Sequence, residues 1–110
     1  SQAVKAGNLM FISGQIPLNP KTGDLVSDSI QEQAKQVLKN VQSICEAAGY
    51  SLDDIVKISI FLTDLSNFGI VNDVMKEYFS EPYPARATVE VSALPLGVNV
   101  EIEAIVLIND

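Results

Sequence analysis

Histidine is absent from this chain of 110 residues, and cysteine occurs once. Without histidine there is no Ser-His-Asp triad, no imidazole general base and no imidazole metal ligand. One cysteine cannot close an internal disulfide or hold a zinc cluster. Cations are also scarce: seven Lys plus Arg stand against 14 Asp plus Glu, a formal net charge of −7. An acidic chain without a basic block is a poor partner for nucleic acid or for an anionic membrane. No apolar run reaches the roughly 18 residues of a transmembrane span, and no signal segment is visible. With the lone Cys45, these absences point to a reducing, cytoplasmic setting.

Apolar residues make up 47% of the chain, enough for a core, while charged residues make up only 19%. That charge is low for a small domain exposing most of its surface. The length fits a single domain, residues 1–110, which is expected to bury part of its surface against copies of itself. Leu9 to Pro17 reads as a strand from its apolar and β-branched content. The turn-rich Asn19 to Asp24 follows, and Leu25-Val26 is expected to return as a short partner strand. Ser29, three residues before Glu32, has capping-box spacing. Ile30, Ala34, Val37, Leu38, Val41, Ile44, Cys45 and Ala48 then form one helical stripe, and Gly49 suits the position just past its end. Cys45 on that stripe reads as a small buried apolar residue, since no partner base exists to activate it.

Ile55 to Thr63 alternates, with Val56, Ile58, Ile60 and Leu62 on the core face. Phe68, Val71, Val74, Met75, Tyr78 and Phe79 return to helical spacing and read as core. Asp64 or Ser66 is placed to cap this helix, and Pro82 and Pro84 follow its end. In Ala85 to Leu94, Arg86, Thr88, Glu90 and Ser92 alternate with an apolar set read as facing inward. Val98 to Ile108 forms the last strand. The order β-β-α-β-α-β-β gives an α+β fold with two helices over one face of a sheet. Apolar side chains on both faces of Leu9 to Ile12 and Ala104 to Ile108 point to a neighbouring subunit covering the other face.

Arg86 is the only arginine. Its planar fork can grip a carboxylate through two parallel hydrogen bonds, which lysine cannot do; a surface salt bridge with Glu90 or Glu103 is the plainer reading. Glu101 shares a strand face with Asn99 and Glu103. A carboxylate there can orient or deprotonate water, or belong to a solvated polar face. An antiparallel pairing of the last two strands would set Arg86 opposite Glu101. Gly14 interrupts a strand beside Ser13. Spacing favours a bulge, with a close approach of backbone to ligand as the alternative. Asn72 falls off the apolar stripe of the second helix and on spacing alone is an ordinary exposed polar residue. No Gly-rich phosphate loop, metal-ligand cluster or mixed basic and aromatic patch is present.

Taken together, these residues resemble the RidA/YjgF family of enamine and imine deaminases. The matching segments are Ser13-Gly-Gln-Ile-Pro17, Asn19-Pro-Lys-Thr-Gly23, Glu46-Ala-Ala-Gly49, Asp54-Ile-Val-Lys57, Pro84-Ala-Arg86, Val89-Glu-Val91, Leu94-Pro95 and Val100-Glu-Ile-Glu-Ala-Ile105. They span nearly the whole chain. The resemblance implies a sheet-and-helix fold similar to that of trimeric chorismate mutase, hence a homotrimer with clefts between subunits. It implies hydrolysis of 2-aminoacrylate or 2-iminopropanoate, and of 2-iminobutanoate, to 2-oxo acids and ammonia, with no cofactor and no metal. It gives Arg86 the substrate carboxylate and Glu101 the attacking water. Ser13 and Gly14 would line the cleft. Thr88 stands where many members have Cys, and Asn72 matches an Asn reaching in from the adjacent subunit. Members typically carry Gly-Pro-Tyr just before the Ser-Gln that begins this chain, and that Tyr helps to close the cleft. Two other functions fit the same residues: a non-catalytic trimeric sensor of small 2-oxo acids through Arg86, and a ribonuclease or translation inhibitor. The second is disfavoured by the scarcity of cations for phosphate contact.

Overall fold

Ser29 starts the longest element. Its hydroxyl accepts the Glu32 amide and caps α1, Ile30–Ala47. At the other end Gly49 adopts φ 88°. The amides of Gly49 and Tyr50 then bond back to the carbonyls of Glu46 and Cys45, satisfying the last turn. The apolar stripe of α1 buries Ala34, Val37, Leu38, Val41 and Cys45. A computed structural model of the chain describes residues 2–26 and 29–109.

The strands are β1 (Ala3–Ala6), β2 (Leu9–Gln15), β3 (Ile55–Leu62), β4 (Ala85–Glu90) and β5 (Val100–Leu107), and α2 is Phe68–Tyr78. They form one sheet in the order β1-β2-β5-β3-β4. β5 lies antiparallel to both β2 and β3, while β4 runs parallel to β3. A parallel neighbour requires a crossover, and α2 supplies it. Met10, Ile12, Ile58, Ile60, Leu62, Ile102, Ala104 and Val106 point into the buried core, which α1 and α2 close from one side. The α+β layout with two helices on one face is therefore as the sequence predicts.

Three details differ. The partner of β2 at the sheet edge is β1, not Leu25-Val26. The short β1 joins β2 through Gly7-Asn8, with Gly7 at φ 62°, as a two-residue hairpin requires. Leu25 makes only an isolated bridge to Leu18. The segment between them folds on itself, through Asn19 N to Asp24 O and Gly23 N to Asn19 O. Second, the register of β3 against β5 shifts between Ile55 and Lys57. Ile55 is therefore buried and Val56 is exposed. Third, β4 does not pair with β5: β3 separates them. On the face away from the helices, Val4, Phe11, Val89 and Leu107 remain exposed.

Candidate functional site

Arg86 is positioned by β4, whose register sets it beside Ile58, with Thr88 beside Ile60 and Glu90 beside Leu62. Those β3 residues are fully buried under the helices. Arg86, Thr88 and Glu90 therefore lie on the helix side, and Ala87 and Val89 on the open side, the reverse of the orientation expected from the sequence. The physical reason is position. As an edge strand, β4 lies at the margin of α2, where polar side chains find partners without full burial. Arg86 Nη1 donates to Asn72 Oδ1 of α2, and its Cζ sits 5.0 Å from the centre of the Phe68 ring. The ring face attracts the cation, and Asn72 fixes the rotation of the planar fork. Asn72 and Arg86 belong to the same chain and so reach any cleft shared between copies together. The plainer reading of Arg86 as a salt bridge does not match its contacts. Glu90 Oε1 instead accepts the Leu65 amide, at 2.8 Å, and Glu103 is on the opposite face of the sheet.

Two cavities flank the guanidinium. One, of about 410 Å³, is lined by Ile58, Asn72, Met75, Lys76, Phe79, Tyr83, Pro84 and Arg86. The other is bounded by Leu65, Phe68, Arg86 and Thr88. Thr88 Oγ1 is buried there without a hydrogen-bond partner. Phe68, which reads as core from its spacing, is part of this site, and Lys76 and Tyr83 carry no signal in the sequence. Phe68, Asn72 and Lys76 do recur at steps of four, a second stripe of α2 beside the apolar one.

Glu101 occupies the other side of the sheet. It pairs with Phe61, and Glu103 with Ser59, so both carboxylates project from the face away from the helices. Glu101 is half-buried. Burial first, and the neighbouring Glu103 charge second, push its carboxyl above the ordinary range. Its carboxylate lies against Gly14. A Cβ at Gly14 would stand 2.5 Å from Glu101 Oε2. The register of β2 also shifts between Ile12 and Gln15, so Gly14 sits in an irregularity and at a close approach. The approaching group is a side chain of the same protein. Ser13, beside it, lines a cavity of about 410 Å³ with Phe11, Lys57, Ser59 and Glu103. Arg86 and Glu101 thus project from opposite faces and do not share a cavity within one chain. Antiparallel pairing of the last two strands, which would have brought them together, is excluded by β3 lying between them.

Among the described residues no group of His, Cys, Asp and Glu is arranged to hold a metal ion. Cys45 is buried, and burial, aided by the Asp54 and Glu46 charges, pushes its thiol up to about 11. No helix among the described residues is long and apolar enough to cross a membrane.

A family model described as Endoribonuclease L-PSP matches residues 1–108. The crystal structure of RidA from an Antarctic Psychrobacter overlays with a TM-score of 0.93 at 53% identity, covering 97% of this chain and 86% of that one. This chain belongs to the RidA/YjgF family. Other RidA/YjgF relatives differ in how they are named. A RutC family protein of Pyrococcus horikoshii is 55% identical over 105 residues, 96% of this chain and 83% of the relative. A human protein named 2-iminobutanoate/2-iminopropanoate deaminase is 45% identical over 107 residues, 97% of this chain and 78% of the relative.

Proposed function

We propose that this RidA/YjgF protein hydrolyses small 2-imino acids and their enamine tautomers, 2-iminopropanoate and 2-iminobutanoate among them, to 2-oxo acids and ammonia. The observation that carries the reading is the Arg86 guanidinium, fixed by Asn72 and Phe68 at the wall of a cavity. A planar cation held in one orientation suits a carboxylate. The name of the human relative supports the choice of reaction.

Since Arg86 and Glu101 lie on opposite faces, a cleft that uses both takes one from each of two copies. The uncovered apolar face carrying Val4, Phe11, Val89 and Leu107 supports such an assembly, which we read as a homotrimer with clefts between protomers. The iminium carbon of the substrate is already electrophilic, so no covalent nucleophile is required. Arg86 binds the carboxylate and fixes the carbon in place. Glu101 orients a water and takes its proton as the oxygen bonds to that carbon. Glu101 returns that proton to the nitrogen of the resulting carbinolamine; the C–N bond then breaks as the hydroxyl becomes the carbonyl, its proton passes to the Glu101 carboxylate, and the departing ammonia carries that proton away as ammonium. A carboxyl titrating above the ordinary range is suited to these transfers. The proposed reaction draws on no cofactor. Its partner is a small carboxylate, and a net charge of −7 argues against a polyanion such as RNA. The reading places this chemistry in the cytoplasm, where such a substrate would be met.

A coupled assay tests the reading. A pyridoxal-phosphate-dependent dehydratase generates 2-aminoacrylate, and pyruvate release is followed with and without this protein. Acceleration is expected. Binding of 2-oxobutanoate without acceleration would replace the enzyme with a sensor.

A further inference from the structure

The cavity beside Arg86 runs against the charge of the protein. The chain carries twice as many acids as bases, 14 against seven, yet Arg86 and Lys76 both line this cavity and no acid does. Lys76 lies one helical turn beyond Asn72 on α2, about 6 Å along the axis. Asn72 is the residue that holds the guanidinium. Met75, Phe79 and Tyr83 also line the cavity, offering apolar contact to a short methylene chain. Lys76 is exposed, so its charge is hydrated at rest and binding an anion there costs little desolvation.

We propose that Lys76 provides a second anion position, so that this cavity accepts 2-imino and 2-oxo acids bearing a second carboxylate at the far end of a short chain. The inference rests on the reading of Arg86 as the carboxylate anchor and extends it to a substrate class. Arg86 takes the carboxylate next to the imine, the methylenes lie along Met75 and Phe79, and the distal carboxylate meets Lys76. The reaction is otherwise unchanged: water adds to the imine carbon and ammonia leaves.

The test compares 2-oxoglutarate with 2-oxopentanoate, which has the same chain length but no distal carboxylate, by titration calorimetry at low salt. Lys76→Met should weaken 2-oxoglutarate about three- to fivefold, the scale of one exposed ion pair, and leave 2-oxopentanoate unchanged. Lys76→Arg should keep the preference, and added salt should narrow it. Equal weakening of both ligands by Lys76→Met, or weakening of neither, overturns the inference. Lys76 also stands in the last turn of α2, where a cation favours the helix end. The melting temperature of each variant is therefore measured, and 2-oxopentanoate serves as the internal control. Arg86→Lys separates the two readings. If only the Lys76 position is wrong, Arg86→Lys still weakens both ligands. If Arg86 is not the anchor, Arg86→Lys weakens neither, and failure of the unaltered protein to bind either ligand sinks both.

Discussion

Replacing Gly14 with alanine should separate catalysis from folding. The new Cβ would lie 2.5 Å from Glu101 Oε2 and 2.7 Å from Glu101 Cδ. That is about 0.9 Å short of van der Waals contact, so one partner must move. The obstructing atoms are the end of a flexible side chain and not backbone, so the carboxylate yields and the strand stays. A displaced rotamer costs about 1 kcal/mol, while alanine recovers roughly 0.5 kcal/mol of chain entropy relative to glycine in a strand. The net change in stability is then under about 1 kcal/mol, within about 5 °C of melting temperature for a chain of this size. Catalysis is less forgiving, because misplacing a group by about 1 Å can cost on the order of 100-fold. In the coupled assay, kcat should fall by roughly 30- to 100-fold, with 2-oxobutanoate binding at Arg86 retained. Full turnover by a folded Gly14→Ala protein would refute the role given to Glu101, and loss of folding would refute the claim that only the carboxylate needs to move.

Three further outcomes follow from the same geometry. Arg86→Lys keeps the charge but loses the fork, and should cut kcat/KM for 2-aminoacrylate by at least about tenfold, worth roughly 1.4 kcal/mol; wild-type kinetics would contradict the carboxylate assignment. Thr88→Val removes a buried hydroxyl that has no partner and should raise stability by up to about 1 kcal/mol in denaturant unfolding, whereas a loss of stability would show that the hydroxyl is paired. Cys45, with its thiol pushed up to about 11 by burial, stays protonated between pH 7 and pH 9. Iodoacetamide should therefore label it only once the chain is unfolded, and labelling of the native protein that rises across that range would contradict its burial.

Where the signal was local, the sequence carried it. Ser29 and Gly49 bracket α1 because capping and positive φ are properties of single positions. The alternation of β3 marks a half-buried strand because side-chain direction has a period of two. What it could not carry was the identity of each strand's neighbour. The placement of β3 between β5 and β4 depends on contacts remote in sequence, and the two registers on β3 decide the faces of Glu101 and Arg86. The alternation of β4 was visible, but not its direction. On an edge strand the less apolar set can lie under a helix margin, as Arg86, Thr88 and Glu90 do. A four-residue strand with one lysine, β1, has too little pattern to be read. Gly14 was noticed because glycine is costly in a strand, but only coordinates show that Glu101 fills the space above it. Phe68 reads as core because it fits the apolar stripe of α2, and only the coordinates show its ring beneath the Arg86 guanidinium.

The central claim is that one cleft draws Arg86 and Glu101 from two different copies of the chain. Subunit mixing addresses it directly. Arg86→Lys and Glu101→Ala proteins, each with little activity alone, are unfolded together in equal amounts and refolded. If clefts are shared, about one in four receives an intact Arg86 from one copy and an intact Glu101 from its neighbour, so about a quarter of the wild-type rate should return. A mixture no more active than its two components would place both residues' work within a single chain and contradict the account.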